Sequence, residues 1–186
     1  MGAALDQLGR LAQTSKALTP LVVQVADWYA RVLRDSGTLY FCGNGGSAAD
    51  VQHVVAEYVV RYAADRRPLA AVALTTDTSI LTAAGNDLGF ERIFARQVEA
   101  HCGPADLLVL HSTSGQSPNL LAAARAARAG GTGTVAFLGR GGGALAGEVE
   151  LAVVVPSDDT GQIQVLQLAL EHVIVELVEA AVLGAR

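Results

Sequence analysis

The sequence contains five short, continuously apolar segments that are separated by stretches with helical spacing. The apolar segments are residues 38–42, 69–74, 107–111, 134–138 and 151–155. Strands that are apolar on both faces are typical of a parallel sheet covered by helices on both sides. The helical stretches are 4–34, with a break near Pro20, then 48–62, 78–84, 91–100, 118–129 and 161–183. The pattern predicts a three-layer α/β/α sandwich with a five-stranded parallel sheet and long N- and C-terminal helices.

Length and composition favour a single folding unit. The chain has 186 residues, of which 51% are hydrophobic, and this suffices for one buried core. We therefore expect residues 1–186 to form one domain, with residues 1–35 as its N-terminal helical segment. Two cysteines are too few for a disulfide scaffold.

The distribution of charge and hydrophobicity excludes two classes of partner. A formal net charge of −5 argues against an electrostatic nucleic-acid binder, and we expect the basic stretch Asp65-Arg66-Arg67 in a solvated loop. Residues 165–183 form the longest apolar stretch, but three glutamates and His172 interrupt it. That stretch therefore predicts a buried or interfacial helix rather than a membrane span. Residues 1–16 lack the hydrophobic core of a signal peptide, so we expect a soluble, cytoplasmic protein.

A glycine-rich loop, Gly43-Asn44-Gly45-Gly46-Ser47, follows the first apolar segment and leads into a helix. Glycines let backbone amides approach an anion, and a helix N-terminus adds partial positive charge. An ordinary strand-to-helix turn is an equally good interpretation. The loop also matches the GxGxxA pattern of dinucleotide-binding proteins, in which Asp77 would be the acidic partner. The spacing to Asp77 is longer than that pattern requires, which disfavours a nucleotide site.

A hydroxyl-rich loop, Ser112-Thr113-Ser114-Gly115-Gln116-Ser117, follows the third apolar segment and precedes Pro118. Capping a helix needs only one hydroxyl, and this loop carries four. Neutral hydroxyl and amide donors at a helix N-terminus can bind a phosphate dianion without a lysine. The loop therefore predicts a phosphate-binding site.

Two pairs of side chains could carry protons or bind a metal. His53 and Glu57 are spaced i, i+4 and share one helix face, which suits a surface ion pair, a metal site or an acid/base pair. Gln164 and His172 lie on the last helix, although a lone histidine there can also be an ordinary core residue. Their separation along that helix is about 12 Å. Either only one of them belongs to a given site, or the site is assembled between subunits; we prefer the second interpretation.

Taken together, these motifs resemble the sugar isomerase (SIS) domain family, and within it the phosphoheptose isomerases, from about residue 5 to residue 183. The segments that carry the resemblance are Gly43–Ser47 with Asp50, Gln52 and His53; Glu57 with Arg61-Tyr62; Gly85-Asn86-Asp87 with Gly89-Phe90; Ser112–Gly115 with Ser117 and Asn119; and Gln164 with His172.

The resemblance implies a role for each of these residues. Glu57 and His172 would be the catalytic acid and base. The phosphate would lie on Ser112, Thr113, Ser114 and Ser117. The rest of the substrate would meet Asn44, Gly45, Gly46, Glu57, Asn86, Asp87 and Gln164. One zinc ion per subunit would be bound by His53, Glu57, Gln164 and His172.

The resemblance also implies a reaction, the conversion of D-sedoheptulose 7-phosphate to D-glycero-D-manno-heptose 7-phosphate for activated-heptose biosynthesis, in a homotetramer. Two alternatives stay open. One is an isomerase of another phosphosugar. The other is a non-catalytic SIS protein that binds a phosphosugar or a protein partner, as the replication initiator-associated factors do. Such factors are expected to lack the histidines and the glutamate that are present here as His53, His172 and Glu57.

Overall fold

Helices and strands alternate along the chain in the order that the hydrophobic pattern predicts. The computed structural model describes residues 2–184. The strands are β1 (Leu39–Gly43), β2 (Ala71–Ala73), β3 (Leu107–Ser112), β4 (Gly133–Leu138) and β5 (Leu151–Val154). The helices are α1 (Gly2–Thr14), α2 (Thr19–Arg34), α3 (Gly46–Val59), α4 (Thr78–Asp87), α5 (Ala95–His101), α6 (Pro118–Ala129) and α7 (Thr160–Leu183). Short 3-10 helices lie at Ser15–Leu18, Phe90–Arg92, Arg140–Gly142 and Ala144–Gly147.

The strands form one parallel sheet with the order β2-β1-β3-β4-β5. Side chains from one face of this sheet pack with α2, α3 and α7, while those from the other face pack with α4, α5 and α6. Because helices cover both faces, every residue of the central strand β3 is buried, as are most residues of β1 and β4, which explains why these strands are apolar without alternation. The predicted α/β/α sandwich with a five-stranded parallel sheet is confirmed.

The break near Pro20 is confirmed, whereas one other helix boundary differs from the prediction, and both outcomes follow from local backbone chemistry. The break in the N-terminal helix lies at residues 15–18, before Pro20, because Pro20 occupies the first turn of α2, where a missing N–H costs nothing. The helix predicted at residues 78–84 is longer than expected, since α4 continues through Asp87. The chain leaves this helix at Gly89, whose φ of 89° suits glycine.

Helix α7 is the segment that came closest to a membrane span in the sequence. Among the described residues, no helix combines the length and apolarity needed to cross a bilayer. Glu171 and Glu179 of α7 are both buried inside the chain. There they bind partners on other elements, which agrees with the prediction of a buried or interfacial helix rather than a membrane span.

A polar cluster lies within the apolar core between β3, α2 and α7. The side chains of His111 and Glu171 are both fully buried, and His111 Nε2 lies 3.1 Å from Glu171 Oε1. The Tyr29 hydroxyl donates to the same oxygen over 3.3 Å. His111 is followed directly by the hydroxyl-rich loop and Glu171 by His172. The cluster therefore fixes the end of β3 to the helix that carries His172.

The buried pair of His111 and Glu171 should make a single substitution cost more stability than the combined removal of all the polar groups in the cluster. Replacing His111 with Leu should lower the free energy of unfolding by about 3 to 5 kcal/mol, because it leaves the buried carboxyl group of Glu171 without its imidazole partner and with the Tyr29 hydroxyl alone. Replacing Tyr29 with Phe and both His111 and Glu171 with Leu should restore most of that loss, since an apolar set needs no hydrogen bonds. Urea titration monitored by circular dichroism measures both effects. A triple variant no more stable than His111→Leu would contradict this account.

Candidate functional site

The candidate site lies at the point in the sheet where the chain changes direction. Strands β1 and β3 are neighbours, with Gly43 opposite His111, so the loops that follow them emerge side by side. The first loop leads to α3 on one face of the sheet, and the second leads to α6 on the other face. In open parallel sheets, ligands bind in the crevice that such a divergence creates.

A polar cavity occupies this crevice, and hydroxyl groups dominate its wall. The hydroxyl-bearing residues that line it are Ser47, Ser112, Thr113, Ser114, Ser117 and Thr160. Helices α3, α6 and α7 all begin at this cavity, because Gly46, Ser117 and Thr160 border it. Three helix N-termini therefore contribute partial positive charge to one small volume. No lysine or arginine belongs to the residues that line it, so the wall has the chemistry of an anion site built from neutral donors.

The hydroxyl-rich loop is held in shape by its own polar atoms. Ser112 Oγ accepts a hydrogen bond of 3.0 Å from the Gly115 amide, and Ser114 Oγ accepts one of 3.2 Å from the Gln116 amide. Both hydroxyls still have their own hydrogen to donate. Ser117 precedes α6 but makes no side-chain capping bond. The hydrogens of these hydroxyls are therefore free to be donated to a ligand, and the binding of a phosphate by this loop stays a prediction.

The conformation of Gly115 is essential to this loop. Its φ is 62°, and a Cβ atom at this position would collide with the carbonyl oxygen of Gly142. The loop therefore packs directly on the glycine-rich turn that follows β4, and only glycine fits at position 115.

An amide pair joins the two loops. Asn44 Nδ2 donates to Asn119 Oδ1 over 2.9 Å, and Asn119 Nδ2 donates back to Asn44 Oδ1 over 2.8 Å. Asn119 is almost fully buried, so this reciprocal bond fixes the distance between the glycine-rich loop and the hydroxyl-rich loop. Asn44 itself lines the cavity.

His53, Glu57 and His172 converge in a second polar cluster, which lies between α3 and α7. His53 Nε2 lies 3.0 Å from His172 Nε2 and 3.5 Å from Glu57 Oε1. One ligand atom from each of the three residues lies within 4.8 Å of the others. A carboxylate and two imidazoles are thus brought together from α3 and α7 of one chain.

Gln164 lies away from this cluster, at the other end of the contact between α3 and α7. Its Nε2 atom is 3.4 Å from Ser47 Oγ, and the residue lines the hydroxyl-rich cavity. Within one chain, His172 therefore meets His53 and Glu57 but not Gln164, and the assembly of Gln164 and His172 into one site between subunits stays a prediction. The distance between Gln164 and His172 along α7 explains this separation, because Gln164 contacts the start of α3 whereas His172 contacts its middle.

Neighbouring groups shape the electrostatics of the cluster. The Tyr62 ring stacks on the His172 ring, with centroids 5.5 Å apart and planes inclined by 20°. Burial raises the pKa of the Asp50 carboxyl, and the nearby His111 and His53 oppose this to a lesser extent. Asp50 thus lies between the buried polar pair and the exposed cluster.

Some predicted site residues lie elsewhere in the chain. Asn86 and Asp87 are exposed at the end of α4, where Asn86 Nδ2 donates to Asp87 Oδ1 over 2.6 Å, and neither lines the cavity. Gly45 is the N-cap of α3 and also falls outside the lining residues. Asp77 caps α4 by accepting a hydrogen bond from the Ile80 amide. The carboxylate of Asp77 thus serves as a helix cap, which is a role that does not involve a nucleotide.

Two residues near the site were not identified from the sequence. His111 lines the cavity from the end of β3, and a histidine inside an otherwise apolar strand was the available signal. Arg66 was expected in a solvated loop, yet its side chain is fully buried against Glu179. The isolated glutamates of the apolar helix α7 were the corresponding signal, because a buried carboxylate requires a partner.

The donor set of the exposed cluster suits a divalent metal ion. The Nε2 atoms of His53 and His172 are 3.0 Å apart and can form at most one hydrogen bond with each other. If both nitrogens are unprotonated, each can instead direct its lone pair to a shared cation, which satisfies both nitrogens. Two imidazoles and a carboxylate match zinc better than magnesium or calcium, which prefer oxygen ligands alone. His53, Glu57 and His172 therefore fit a zinc ion.

Comparisons with known proteins agree with this geometry. Residues 6–139 match the model of the SIS domain family. The chain is 49% identical over 177 residues to a phosphoheptose isomerase of Roseiflexus, covering 95% of this chain and 88% of the relative. It is 47% identical to one from Akkermansia muciniphila, with 96% of each chain covered.

Solved structures extend the similarity to the whole fold. A phosphoheptose isomerase from Neisseria gonorrhoeae superposes with a TM-score of 0.91 at 38% identity, over 96% of each chain. One from Francisella tularensis superposes with a TM-score of 0.92 at 31% identity, over 95% of each chain. The family match ends at residue 139, but these comparisons span α7 as well. The chain therefore belongs to the SIS domain family and, within it, to the phosphoheptose isomerases.

Proposed function

We propose that this protein isomerises D-sedoheptulose 7-phosphate to D-glycero-D-manno-heptose 7-phosphate, a step toward activated heptoses. The observation that carries the proposal is the convergence of His53, Glu57 and His172 on α3 and α7, the two helices whose first turns border a cavity rich in hydroxyl groups. An aldose–ketose conversion needs an anchor for the phosphate and a base and an acid beside the reacting carbons. The hydroxyl-rich loop offers the anchor, and the carboxylate of Glu57 and the imidazole of His172 offer the base and the acid.

The phosphate is bound at Ser112, Thr113, Ser114 and Ser117. The start of α6 and the neutral donors of this loop favour a dianion. Asn44, Gly46 and Gln164 then face the sugar hydroxyls, since all three line the same cavity. In this proposal the binding energy of the phosphate orients the distant reacting carbons.

Glu57 removes a proton from the carbon beside the carbonyl and returns it to the neighbouring carbon through an enediol. His172 transfers protons to and from the two oxygens. Tyr62 holds the His172 ring by stacking on it, which limits its rotation. A zinc ion held by His53, Glu57 and His172 would supply Lewis-acid polarisation of the substrate carbonyl.

The proposal includes self-association to a homotetramer, and apolar surface on α7 supports it. Val165, Val173, Leu177 and Leu183 are exposed on this helix, beside an apolar groove between α7 and the N-terminal helices. In an assembly, Asn86 and Asp87 at the end of α4 could reach the site of a neighbouring copy. We place the reaction in the cytoplasm, where phosphorylated sugars are made.

Substitution of the proton-transfer residues tests the proposed reaction. Glu57→Gln and His172→Gln should each lower kcat by about 10² to 10⁴-fold, the usual contribution of general acid–base catalysis. The measurement is conversion of sedoheptulose 7-phosphate, with fructose 6-phosphate as the comparison substrate. Metal analysis should give one zinc per wild-type chain and none in His53→Ala.

Matched controls are available at exposed positions outside the site. Glu91→Gln and His101→Gln make the same chemical changes and should leave kcat unaltered. Normal turnover in Glu57→Gln or His172→Gln, with the fold intact, would remove that residue from the mechanism. A wild-type protein that binds but does not convert the sugar would support a non-catalytic SIS protein instead.

Substitution at Gly115 tests the phosphate anchor. Gly115→Ala forces a left-handed conformation on alanine, at a cost of about 1 to 2 kcal/mol, and pushes the loop away from Gly142. We expect KM for the phosphosugar to rise about tenfold, equivalent to about 1.4 kcal/mol of binding, with a parallel loss of inhibition by inorganic phosphate.

The control for that experiment is Gly184→Ala. Gly184 also has a positive φ, of 75°, but no atom lies near the position of a Cβ. Alanine at this position therefore introduces a similar backbone strain without a collision, at the end of α7 that is distant from the hydroxyl-rich loop. An unchanged KM in Gly115→Ala would show that the phosphate is bound elsewhere.

A further inference from the structure

We propose that Arg66 and Glu179 form a clamp that positions Glu57 and His172 for the reaction. The inference rests on the proposed function, because it concerns how the two proton-transfer residues are held. Neither clamp residue belongs to the cavity or the metal-binding cluster. Both therefore act through other residues rather than on the substrate.

Arg66 binds the end of α3 and the side chain of Glu179 at the same time. Its guanidinium donates to the backbone carbonyl of Glu57 over 2.6 Å and to that of Tyr58 over 2.8 Å. Its Nε donates to Glu179 Oε1 over 2.7 Å. Carbonyls in the last turn of a helix lack partners within the helix, so Arg66 serves as a side-chain cap. One of the carbonyls that it fixes belongs to the proposed catalytic base.

Glu179 extends the clamp to His172. Its carboxylate accepts hydrogen bonds from the backbone amides of Tyr62, Ala63 and Ala64 over 3.0 to 3.1 Å. The amide of Tyr62 is thereby fixed to α7, and the ring of Tyr62 lies against His172. Burial raises the pKa of Glu179, but the three amides and Arg66 outweigh it and hold the pKa below its usual value. The ionised carboxylate is thus the form that this site favours.

The arrangement fixes the alignment of α3 with α7. His53 and Glu57 come from one helix and His172 from the other, so their distances depend on how far one helix slides along its neighbour. A shift of one residue moves a helix by about 1.5 Å, and a misplacement of about 1 Å can cost 100-fold in rate. Two other side-chain contacts join these helices. The contact between His53 and His172, at 3.0 Å, is the geometry that has to be positioned. The bond from Gln164 to Ser47, at 3.4 Å, is longer than the bonds that the clamp makes to Glu179. The clamp is therefore the stronger determinant of this alignment.

Arg66→Lys tests the clamp, because lysine keeps the charge beside Glu179 but lacks the planar fork that reaches two carbonyls. We expect kcat to fall about 10 to 100-fold, the effect typical of residues that orient a ligand or catalytic group. KM for the phosphosugar should change little, since the loop at residues 112–117 is untouched. Glu179→Gln, which keeps the side-chain length, should have the same effect and serves if Arg66→Lys does not fold.

The matched control is Arg125→Lys. Arg125 binds Glu148 through two nitrogens on the exposed surface, so the same chemical change is made where no site residue is attached. Its kcat should equal that of the wild type. Kinetics are measured well below the unfolding temperature of each variant, with the folded fraction checked by urea titration.

The outcomes separate a positioning role from a merely structural one. A reduced kcat at unchanged KM, in fully folded Arg66→Lys or Glu179→Gln, supports the clamp. A loss of stability with a wild-type kcat in the folded protein overturns it. Wild type and Glu57→Gln are assayed in parallel. If wild type converts the sugar and Glu57→Gln does not, a normal kcat in the clamp variants refutes only the clamp. An inactive wild type refutes the proposed function itself.

Discussion

The structure depends above all on the parallel alignment of α3 and α7. Three contacts define it: Ser47 with Gln164, His53 with His172, and Tyr62 with Glu179. The partners advance in the same direction along both helices, so the helices run side by side from the cavity toward the opposite edge of the sheet. This alignment brings a carboxylate and two imidazoles together without any contribution from another chain.

The start of α7 also contributes to the anion site. Helices α3, α6 and α7 all begin at the cavity, so their dipoles favour a phosphate near the hydroxyl-rich loop. The proposed proton-transfer residues, Glu57 and His172, lie farther along α3 and α7. A phosphosugar with an extended chain can therefore be bound at one end and react at the other. The buried contact between His111 and Glu171 joins the two regions, because each of these residues is adjacent in sequence to a proposed functional one.

The sequence predicted the layers, the strands and the two loops because these follow from local patterns. Continuous apolar runs specify buried parallel strands, and the hydroxyl-rich loop exceeds the needs of capping. The sequence did not predict which side chains pair across the core. Arg66 was expected in solvent, since a basic stretch is usually exposed, and only the fold brings Glu179 to it. In the same way, the sequence correctly predicted that Gln164 and His172 lie too far apart on α7 to reach one point. Residue spacing on α7 alone could not show that α3 runs parallel to α7.

The central claim is that Glu57 and His172 of the same chain serve one reaction centre. The most direct measurement is complementation between inactive variants. Glu57→Gln and His172→Gln chains are unfolded together, refolded as a mixture and assayed for isomerisation of sedoheptulose 7-phosphate. The account predicts that the mixture is as inactive as either variant alone, because no chain retains both residues. Activity of the mixture well above that of either variant alone would show that centres take the two residues from different chains, and would contradict the account.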